Sequence, residues 1–341
     1  MLHVLPHPGG GGQRYIDLLS QMGGYRFEQI ALTDDRSPVQ ALRNARRLRR
    51  LAPSWDLVHV HGEASAILCA GLFRSRPGVF HFHGLHLSRR SHGPRLAAVR
   101  WSIRRATRLS RGAICSSASE REEAAALVGS SLESRLVTIE SAVEIPPPID
   151  PGRRLRTRRE LGLRDDQLAV ILAVQLEPRK APFVFLEGLS HARRRRPELR
   201  GLVLGEGPLR EEVAARAPAA GADFLGERPD FERLLEASDI FVLPSEREGM
   251  SLAVLGAMAA GLPVVVSDGP GNPDAVGEAG EVFPVGDVGA LAAALERLAA
   301  DPGLRARLGE AARERAIPRF SAERMARETR GLYDRAMASG G

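Results

Sequence analysis

Short apolar runs alternate with segments of helical periodicity along the whole chain. Six predicted strands fall in each half, and helical patterns such as 15–22, 290–300 and 303–316 lie between them. Strands that alternate with helices are typical of parallel, doubly wound α/β sheets. The predicted strands span 1–5, 29–33, 57–61, 78–83, 112–115, 136–140, 169–174, 201–204, 223–225, 240–243, 263–266 and 281–283.

The clearest break in this alternation is a proline-rich stretch near the middle of the chain. Three prolines at 146–148 are followed by Asp-Pro-Gly at 150–152, and both sequences favour turns over regular structure. We interpret this stretch as a linker between two Rossmann-like domains. Ligands of such sheets bind at the carboxyl ends of the strands, so a ligand cleft between the two domains is expected.

The composition indicates a globular protein. Of the 341 residues, 43% are hydrophobic and 26% are charged, which excludes wholesale disorder. No apolar run approaches the ~20 residues that span a bilayer. The opening sequence MLHVLPHPGG has no basic segment followed by an apolar one, so no secretory signal is predicted. Cys69 and Cys115 cannot build a disulfide framework, and we expect buried thiols in a reducing cytosol.

Positive charge is concentrated in the first half of the chain. Residues 1–150 hold 20 Arg and 13 Asp or Glu, within a net charge of +6 for the whole chain. Eight arginines lie between Arg89 and Arg111, in a stretch without acids that includes Trp101. A basic face with apolar neighbours can bind anionic lipid or a phosphorylated acceptor. A solvated helix face in an arginine-rich protein explains the same pattern.

Lysine is used once. Of the 48 basic residues, 47 are Arg, and the remaining one is Lys180. An ammonium group is a compact charge whereas a guanidinium is a planar fork, so a single Lys predicts a position that requires the compact cation. Chance is the alternative explanation.

A run of glycines, Gly9 to Gly12, follows the first predicted strand and precedes a helical pattern. There the backbone can approach a phosphate, and amides at the helix N-terminus can bind it. A dinucleotide dehydrogenase would also need G-x-G-x-x-G and an acid after the second strand. The third glycine is missing, and Thr33-Asp34-Asp35 supplies the acid only in part, so this class is disfavoured.

A second candidate site lies at 243–251, in the sequence LPSEREGMS. This segment leaves a predicted strand and opens a helical pattern that continues to Ala260. A carboxylate at such a turn, Glu248, can face a sugar hydroxyl, while the amides that follow face a diphosphate. The alternative is an acid that only stabilises the helix dipole.

Together these segments resemble a known family, the retaining glycosyltransferases of family 4 with the GT-B fold. Residues 245–265, SEREGMSLAVLGAMAAGLPVV, resemble the family's donor-site signature of two glutamates separated by seven residues. Phe320-Ser321 followed by Tyr333 resembles its last helix. Its third strand, its active-site histidine and its G-[DE]-G-P turn have counterparts in DLVHVHG at 56–62, FHG at 82–84 and LVLGEGPLR at 202–210.

The resemblance implies an architecture and a set of site residues. It implies two Rossmann-like domains that face a central cleft: an acceptor domain over 1–148, a nucleotide-sugar donor domain over 149–318, and a helix over 319–337 that crosses back to the first domain. Implied at the reaction are Glu248 on the donor sugar, Lys180 on its diphosphate and His83 beside the reacting centre. The loop residues implied to bind the donor are Gly10, Gly11, Gly12, Gly249, Met250 and Ser251.

Three departures from the family pattern affect this expectation. Gly256 stands where the second glutamate would bind the nucleotide ribose, Gln175 stands where a second phosphate-binding arginine is usual, and SAV at 141–143 replaces N-G-V. Loss of a hydrogen bond to a charged group costs about 1.5–3 kcal/mol. The first two changes fit an altered donor mode, with Glu246 or another acid compensating. They also fit a descendant that binds without catalysis.

Histidines crowd one region of the first half. Metal binding is one interpretation, but the resemblance implies no catalytic metal. We expect the histidines on predicted strands to be packed or hydrogen-bonded, and His83, which ends a strand before Gly84, to lie near the site. The histidines are His59, His61, His81, His83, His86 and His92.

The resemblance therefore implies a metal-independent, retaining hexosyltransferase. Its donor would be UDP-, GDP- or another nucleoside diphosphate sugar, with no further cofactor, and its acceptor a saccharide or lipid-linked saccharide in cell-surface polysaccharide or glycoconjugate synthesis. We expect a cytoplasmic protein, peripheral on the inner membrane face through Arg89 to Arg111, without nucleic-acid partners. The alternative is a catalytically impaired GT-B protein that binds an anionic partner or membrane surface.

Overall fold

All twelve predicted strands are present in the computed structural model, which describes residues 1–21, 23–33 and 37–338. Met22, Asp34 and Asp35, which figure in the sequence predictions, lie outside the described residues. The first thirteen helices and strands are β1 (Leu2–Leu5), α1 (Gly10–Gln21), β2 (Glu28–Ala31), α2 (Pro38–Leu51), β3 (Val58–His61), α3 (Glu63–Cys69), β4 (Gly78–His81), α4 (His86–Arg90), α5 (Gly93–Leu109), β5 (Gly112–Cys115), α6 (Ala118–Val128), α7 (Ser130–Glu133) and β6 (Leu136–Thr138).

The alternation then restarts. The elements that follow are α8 (Pro151–Glu160), β7 (Leu168–Ala173), α9 (Pro182–Arg193), β8 (Leu199–Leu204), α10 (Arg210–Arg216), β9 (Ala222–Gly226), α11 (Phe231–Ala237), β10 (Ile240–Leu243), α12 (Leu252–Ala259), β11 (Val264–Ser267), α13 (Asn272–Val276), β12 (Glu281–Phe283), α14 (Val288–Ala300), α15 (Pro302–Arg319) and α16 (Ala322–Ala338). Short 3₁₀ helices span Ala52–Ser54, Ala70–Arg74, Pro178–Lys180, Pro218–Ala220 and Gly277–Ala279.

The chain divides into two compact units. The first consists of Met1–Ala142 with the residues from Ala322 onward, and the second is Val143–Ser321. The last helix, α16, therefore belongs to the first unit. Each unit contains one six-stranded sheet in which all pairings are parallel, as the doubly wound α/β prediction requires.

The strand order of the first unit is β2-β1-β3-β4-β5-β6. The chain leaves β1 toward β2 and returns on the other side of β1 to form β3, so the direction of winding changes between β1 and β3. In such sheets the loops after the two central strands separate and leave a crevice for a ligand. Because the four inner strands β1, β3, β4 and β5 are buried along their whole length, helices cover the sheet on each side.

The strand order of the second unit is β12-β11-β10-β7-β8-β9. The winding changes between β7 and β10, whose register pairs Ile240 with Val170 and Phe241 with Ile171. Two apolar clusters cover the two faces of this sheet, one around Phe241 and one around Phe185. The carboxyl ends of β7 and β10 are thus the expected ligand site of this unit.

Two local predictions were wrong, for identifiable reasons. The first helix begins at Gly10, five residues before the predicted start, because the glycines after Gly9 enter the helix instead of preceding it. The Asp-Pro-Gly sequence at 150–152 does not break the structure: the Asp150 carboxylate accepts a hydrogen bond from Gly152 N at 2.9 Å and caps α8. Proline at the first helical position is favourable because its missing N–H would have no partner there.

Within the described residues, no helix combines the length and the apolar character needed to cross a bilayer.

Candidate functional site

In the second unit, the two loops that follow β7 and β10 meet through an ion pair. Lys180 Nζ donates to Glu248 Oε1 at 2.5 Å, and their side chains are only 12% and 8% exposed. Burial lowers the pKa of Lys180, and the Glu248 carboxylate opposes that shift. The one lysine of the chain and the first signature glutamate thus contact each other at the site that the topology indicates.

The loop that carries Glu248 is fixed by a neighbouring loop after β11. Glu248 N donates to Pro270 O at 2.8 Å, and the hydroxyl of Ser267 donates to Ser245 O. A Cβ added at Gly269 would lie 2.2 Å from Glu246 O, so a side chain at 269 would push the two loops apart. Glu248 therefore projects from a rigid support rather than a free turn.

Glu248 does not act as the helix-dipole acid that sequence reasoning left open. Helix α12 begins at Leu252, and its N-cap is Ser251, whose hydroxyl accepts from Val254 N at 3.5 Å. Glu248 lies outside this first turn and pairs with Lys180 instead. Among the described residues, no acceptor is found for the amides of Gly249, Met250 and Ser251. Amides at such a helix start are suited to an anion.

Sequence reasoning missed Arg179 as a site residue. Its Nε donates to Glu177 Oε2 at 3.0 Å, and its buried Nη1 lies 4.0 Å from Glu248 Oε2 without a hydrogen-bond acceptor in the described part of the chain. Arg179 directly precedes Lys180 in the motif EPRK, and that adjacency was the available signal. Its guanidinium places a second cation beside the Lys180–Glu248 pair, whereas Gln175 is exposed.

The GEGP turn packs against the loop after β7. Leu176 N donates to Glu206 O at 2.8 Å, and Leu209 N donates to Leu176 O at 3.0 Å. Gly205 has φ +134°, and a Cβ on it would lie 1.8 Å from Val174 O. The turn requires glycine because the backbone of 174–176 occupies the space of a side chain.

Gly256 lies on α12 and faces α11. A Cβ at this position would meet Phe231 and Leu235 at 3.5 and 3.6 Å, which are ordinary contact distances. The position therefore has room for the start of a longer side chain. Of the predicted donor residues in the described part of this unit, Lys180 and Glu248 are joined through their side chains, and Gln175 takes no part in that contact.

In the first unit, the glycine run and His83 lie side by side. A Cβ on Gly12 would be 3.7 Å from His83 Nε2, and 2.9 Å from Leu5 Cδ2 at the end of β1. His83 has φ +54°, in the left-handed region that non-glycine residues avoid at a cost of about 1 kcal/mol or more. Strand β4 ends at His81, two residues before the predicted end, because the chain turns at His83.

The loop after β4 is held by buried carboxylates. Glu120 accepts from Gly84 N, and from Ser116 N at 2.5 Å. Glu63 accepts from Leu87 N at 2.5 Å. Burial raises the pKa of both carboxyl groups, while these hydrogen bonds oppose the rise. The backbone that follows the strained His83 is therefore held at Gly84 and again at Leu87.

A buried layer of histidines surrounds His83. His61 Nδ1 lies 2.7 Å from His83 Nε2, and His61 Nε2 lies 2.9 Å from His3 Nδ1. The predicted packing of the strand histidines is confirmed: His59 contacts Tyr333 Oη at 2.6 Å, and His81 contacts Ser116 Oγ at 3.2 Å. Burial lowers the pKa of all five, to about 3 for His3 and His83.

Two groups of three of these histidines have nitrogens within 4.8 Å of one another, the spacing of a metal site: His3, His59 and His61, and His61, His81 and His83. Both groups include His61, whose two nitrogens are already in hydrogen bonds. The rings of His81 and His83 are stacked with their centroids 3.5 Å apart, whereas metal ligands would direct their nitrogens toward one common point. This layer suits hydrogen bonding better than ligation.

The basic stretch between Arg89 and Arg111 is only partly available. Arg89 pairs with Glu123 at 2.5 Å, whereas Trp101 on α5 is 65% exposed with the Arg105 guanidinium 5.9 Å from its ring centroid. The two cysteines are buried free thiols, as predicted.

Comparison with known families gives two matches that together cover nearly the whole chain. The profile of the family described as Glycosyltransferase Family 4 matches residues 2–151, and that of Glycosyl transferases group 1 matches residues 153–315.

Individual relatives give the same picture. EpsD of Bacillus subtilis (strain 168) is 30% identical over 192 residues, which are 54% of this chain and 50% of that protein. The D-inositol 3-phosphate glycosyltransferase of Streptomyces bingchenggensis (strain BCW-1) is 32% identical over 203 residues, 54% of this chain and 44% of that protein. The chain thus spans about half the length of these curated relatives. HepE of Anabaena, solved with UDP and glucose, superposes with a TM-score of 0.83 over 98% of this chain and 99% of its own, at 18% identity.

Proposed function

This chain belongs to the family 4 glycosyltransferases with the GT-B fold, and from that premise we propose that it transfers a sugar from a nucleoside diphosphate sugar to an acceptor hydroxyl. The observation that supports this most strongly is the buried contact between Lys180 and Glu248 at the winding change of the second sheet. The cation and the unpaired amides there suit the negative charge of a diphosphate, and the carboxylate suits the hydroxyls of a sugar.

The donor would bind mainly to the second unit. Negative charge develops on the diphosphate as the glycosidic bond breaks, and fixed cations and amides at that position lower the barrier. Lys180 and the amides of Gly249 to Ser251 would supply this stabilisation, with Arg179 beside them. Glu248 would orient the sugar through its hydroxyls. Since these groups carry the charge themselves, we propose that no metal ion is required, and activity should persist in a chelator.

The family membership also supports retention of anomeric configuration. We propose front-side attack in which the leaving phosphate accepts the proton of the acceptor hydroxyl. His83 would hold the sugar or its neighbours, with the glycine loop at Gly10, Gly11 and Gly12 closing on the phosphate. The relative solved with UDP and glucose supports a uridine nucleotide as the first donor to test.

The departures at Gln175 and Gly256 leave the impaired, binding-only alternative to be tested. The preserved Lys180–Glu248 contact and the neighbouring Arg179 favour an active donor site. Calorimetric titration with UDP, GDP, ADP and their sugar conjugates separates the two. We expect selective binding of one nucleotide and turnover of its sugar. Binding without transfer or hydrolysis of any sugar would instead support the binding-only protein.

The acceptor is proposed to be an anionic or lipid-linked saccharide presented at a membrane surface. Helices α2, α3 and α5 form one layer of the first unit, with α3 between the other two. Val39 and Leu42 on α2 are 67% and 51% exposed, beside arginines of the same helix, which contains no acid. With Trp101 on α5, this layer combines exposed apolar and cationic groups, the pattern of an interfacial surface.

Vesicle sedimentation tests this surface. We expect binding to vesicles that contain anionic phosphatidylglycerol and little binding to neutral phosphatidylcholine, with a several-fold loss in Leu42→Ser. Leu155→Ser is the matched control, since Leu155 is 46% exposed on the second unit. Equal binding by both variants would contradict the assignment of this layer.

A further inference from the structure

Three histidines form a continuous hydrogen-bonded series through the first sheet, the histidine chain. His3, His61 and His83 are linked by nitrogen–nitrogen distances of 2.9 and 2.7 Å, and they lie on or after β1, β3 and β4. His3 and His61 are fully buried, whereas His83 is partly exposed at the carboxyl edge of the sheet. The histidine chain is therefore closed to solvent at His3 and open to a ligand at His83.

Burial keeps these rings neutral, because the cationic form would lose its hydration. A neutral imidazole carries one N–H and one acceptor nitrogen. Two hydrogen bonds in a row can then run in only two ways. Either all three protons are on Nδ1, and each bond points toward His83, or all three are on Nε2, and each points toward His3.

The closed end decides between these directions. His3 Nε2 is buried and has no hydrogen-bond partner among the described residues. With the protons on Nε2, a buried N–H donor would be unpaired there, which is rarer in folded proteins than an under-used acceptor. With the protons on Nδ1, only a lone pair is left unpaired. At the open end, no hydrogen-bond partner is found for His83 Nδ1 among the described residues, so this nitrogen is left for solvent or substrate.

We propose that His3 and His61 are positioning residues that hold His83 as the Nδ1–H tautomer, so that His83 presents a hydrogen-bond donor to the sugar and not a base. His61 donates to His83 Nε2, which occupies the nitrogen that could otherwise accept a proton. This assignment deepens the proposed function and rests on it only for the identity of the ligand. A hydrogen-bond donor at His83 Nδ1 would bind a sugar hydroxyl. The attacking hydroxyl of the acceptor would lose its proton to the leaving phosphate, not to His83.

The tautomer can be measured without substrate. In protein labelled with ¹⁵N-histidine, long-range ¹H–¹⁵N correlations distinguish a protonated Nδ1 from a protonated Nε2, and the signals of His83 are assigned by their loss in His83→Gln. We expect protonated Nδ1 and bare Nε2 in His83 at neutral pH. Protonated Nε2 in His83, or an average of the two forms, would overturn the proposal whether or not the protein transfers sugar. Zinc-induced shifts of the His61 and His83 signals at one equivalent would also overturn it.

Two variants of His3 test the role of the histidine chain. In His3→Asn the amide nitrogen can replace Nδ1 as donor, whereas His3→Leu fills similar volume without one. We expect His3→Asn to keep the tautomer and turnover, and His3→Leu to give mixed tautomers and a kcat lowered about threefold to tenfold with an unchanged donor KM, the loss of about one hydrogen bond. His59→Phe removes a buried histidine that is not part of the histidine chain, and it should leave the tautomer of His83 unchanged. An unchanged His83 spectrum in His3→Leu would contradict the positioning role.

Discussion

The two units have sheets of related topology, yet the loops at their winding changes carry opposite chemistry. In the second unit a lysine, a glutamate and an arginine are gathered within hydrogen-bonding or ion-pair distance. In the first unit the corresponding region holds four buried histidines, the partly exposed His83 and a glycine run. The sheet provides the location, and the residues that follow its strands provide the chemistry. Under the proposed function, the charged site would bind the diphosphate and the neutral site would bind sugar hydroxyls.

The largest expected effect is at the charged site. Lys180→Ala should lower kcat on the order of 10²–10³-fold, because a fixed cation is lost where charge develops. It also leaves Glu248 buried without its partner, which costs on the order of 3–5 kcal/mol of stability, so steady-state rates must be measured well below the melting temperature. Glu248→Gln should reduce turnover while keeping the shape of the site.

The matched control is Glu296→Gln, which removes the exposed pair between Glu296 and Arg195 on the same unit. Exposed pairs contribute about 0–1 kcal/mol, and no loss of activity is expected. If Lys180→Ala folds and retains more than a tenth of the wild-type rate, the donor assignment of the second unit is wrong.

The next effect distinguishes the units by their response to acid. His3 has an ordinary pKa of 6.5 that burial lowers to about 3. Below pH 6.5 the unfolded chain binds a proton at this position that the folded chain does not bind. Stability is therefore complete above that pH and is lost as the pH falls, by about 1.4 kcal/mol per pH unit for each histidine that stays neutral. The other buried histidines of the layer act in the same direction.

Urea unfolding between pH 7 and pH 5 measures this difference. Both tryptophans, Trp55 and Trp101, belong to the first unit, so their fluorescence reports on that unit alone. Both units contribute to the far-ultraviolet circular dichroism, and the one histidine of the second unit, His191, is exposed. The fluorescence midpoint should therefore fall with pH more steeply than the circular dichroism midpoint. His3→Leu should weaken the dependence by about one proton. Parallel shifts of both signals would show that the histidine layer does not determine acid stability.

The sequence predicted the architecture well and the contacts within the site less well. Every predicted strand exists because each is a short, continuous apolar run bounded by turn residues, the pattern of a buried parallel strand. The start of α1 was missed because glycine has low helix propensity, yet Gly10 to Gly12 are helical where tertiary packing outweighs propensity. The motif match identified Lys180 and Glu248 as separate ligands of a donor. Their contact joins residues 68 positions apart, and only the pairing of β7 with β10 brings them together.

The histidine chain shows the same limit. The sequence predicted that the strand histidines are packed or hydrogen-bonded and that His83 lies near the site. It could not predict that His3 completes a chain of hydrogen bonds, since this depends on the parallel register that pairs β1 with β3. Nor does any local pattern require the left-handed backbone of His83, which the carboxylate of Glu120 supports from a distant helix.

The smallest expected effect restores a lost group at the charged site. Gly256→Glu places a carboxylate on α12, in the helix that begins after its N-cap Ser251. A Cβ at position 256 meets Phe231 and Leu235 only at ordinary contact distances. If the nucleotide ribose lies there, a new hydrogen bond to a charged group should tighten donor binding about tenfold, measured by calorimetry. Gly256→Gln is the control, because it gains the same ~0.5–1 kcal/mol of helix stability over glycine without the charge. Equal gains in both variants would mean that only the helix was stabilised, and no gain in either would indicate that the donor does not use this face of α12.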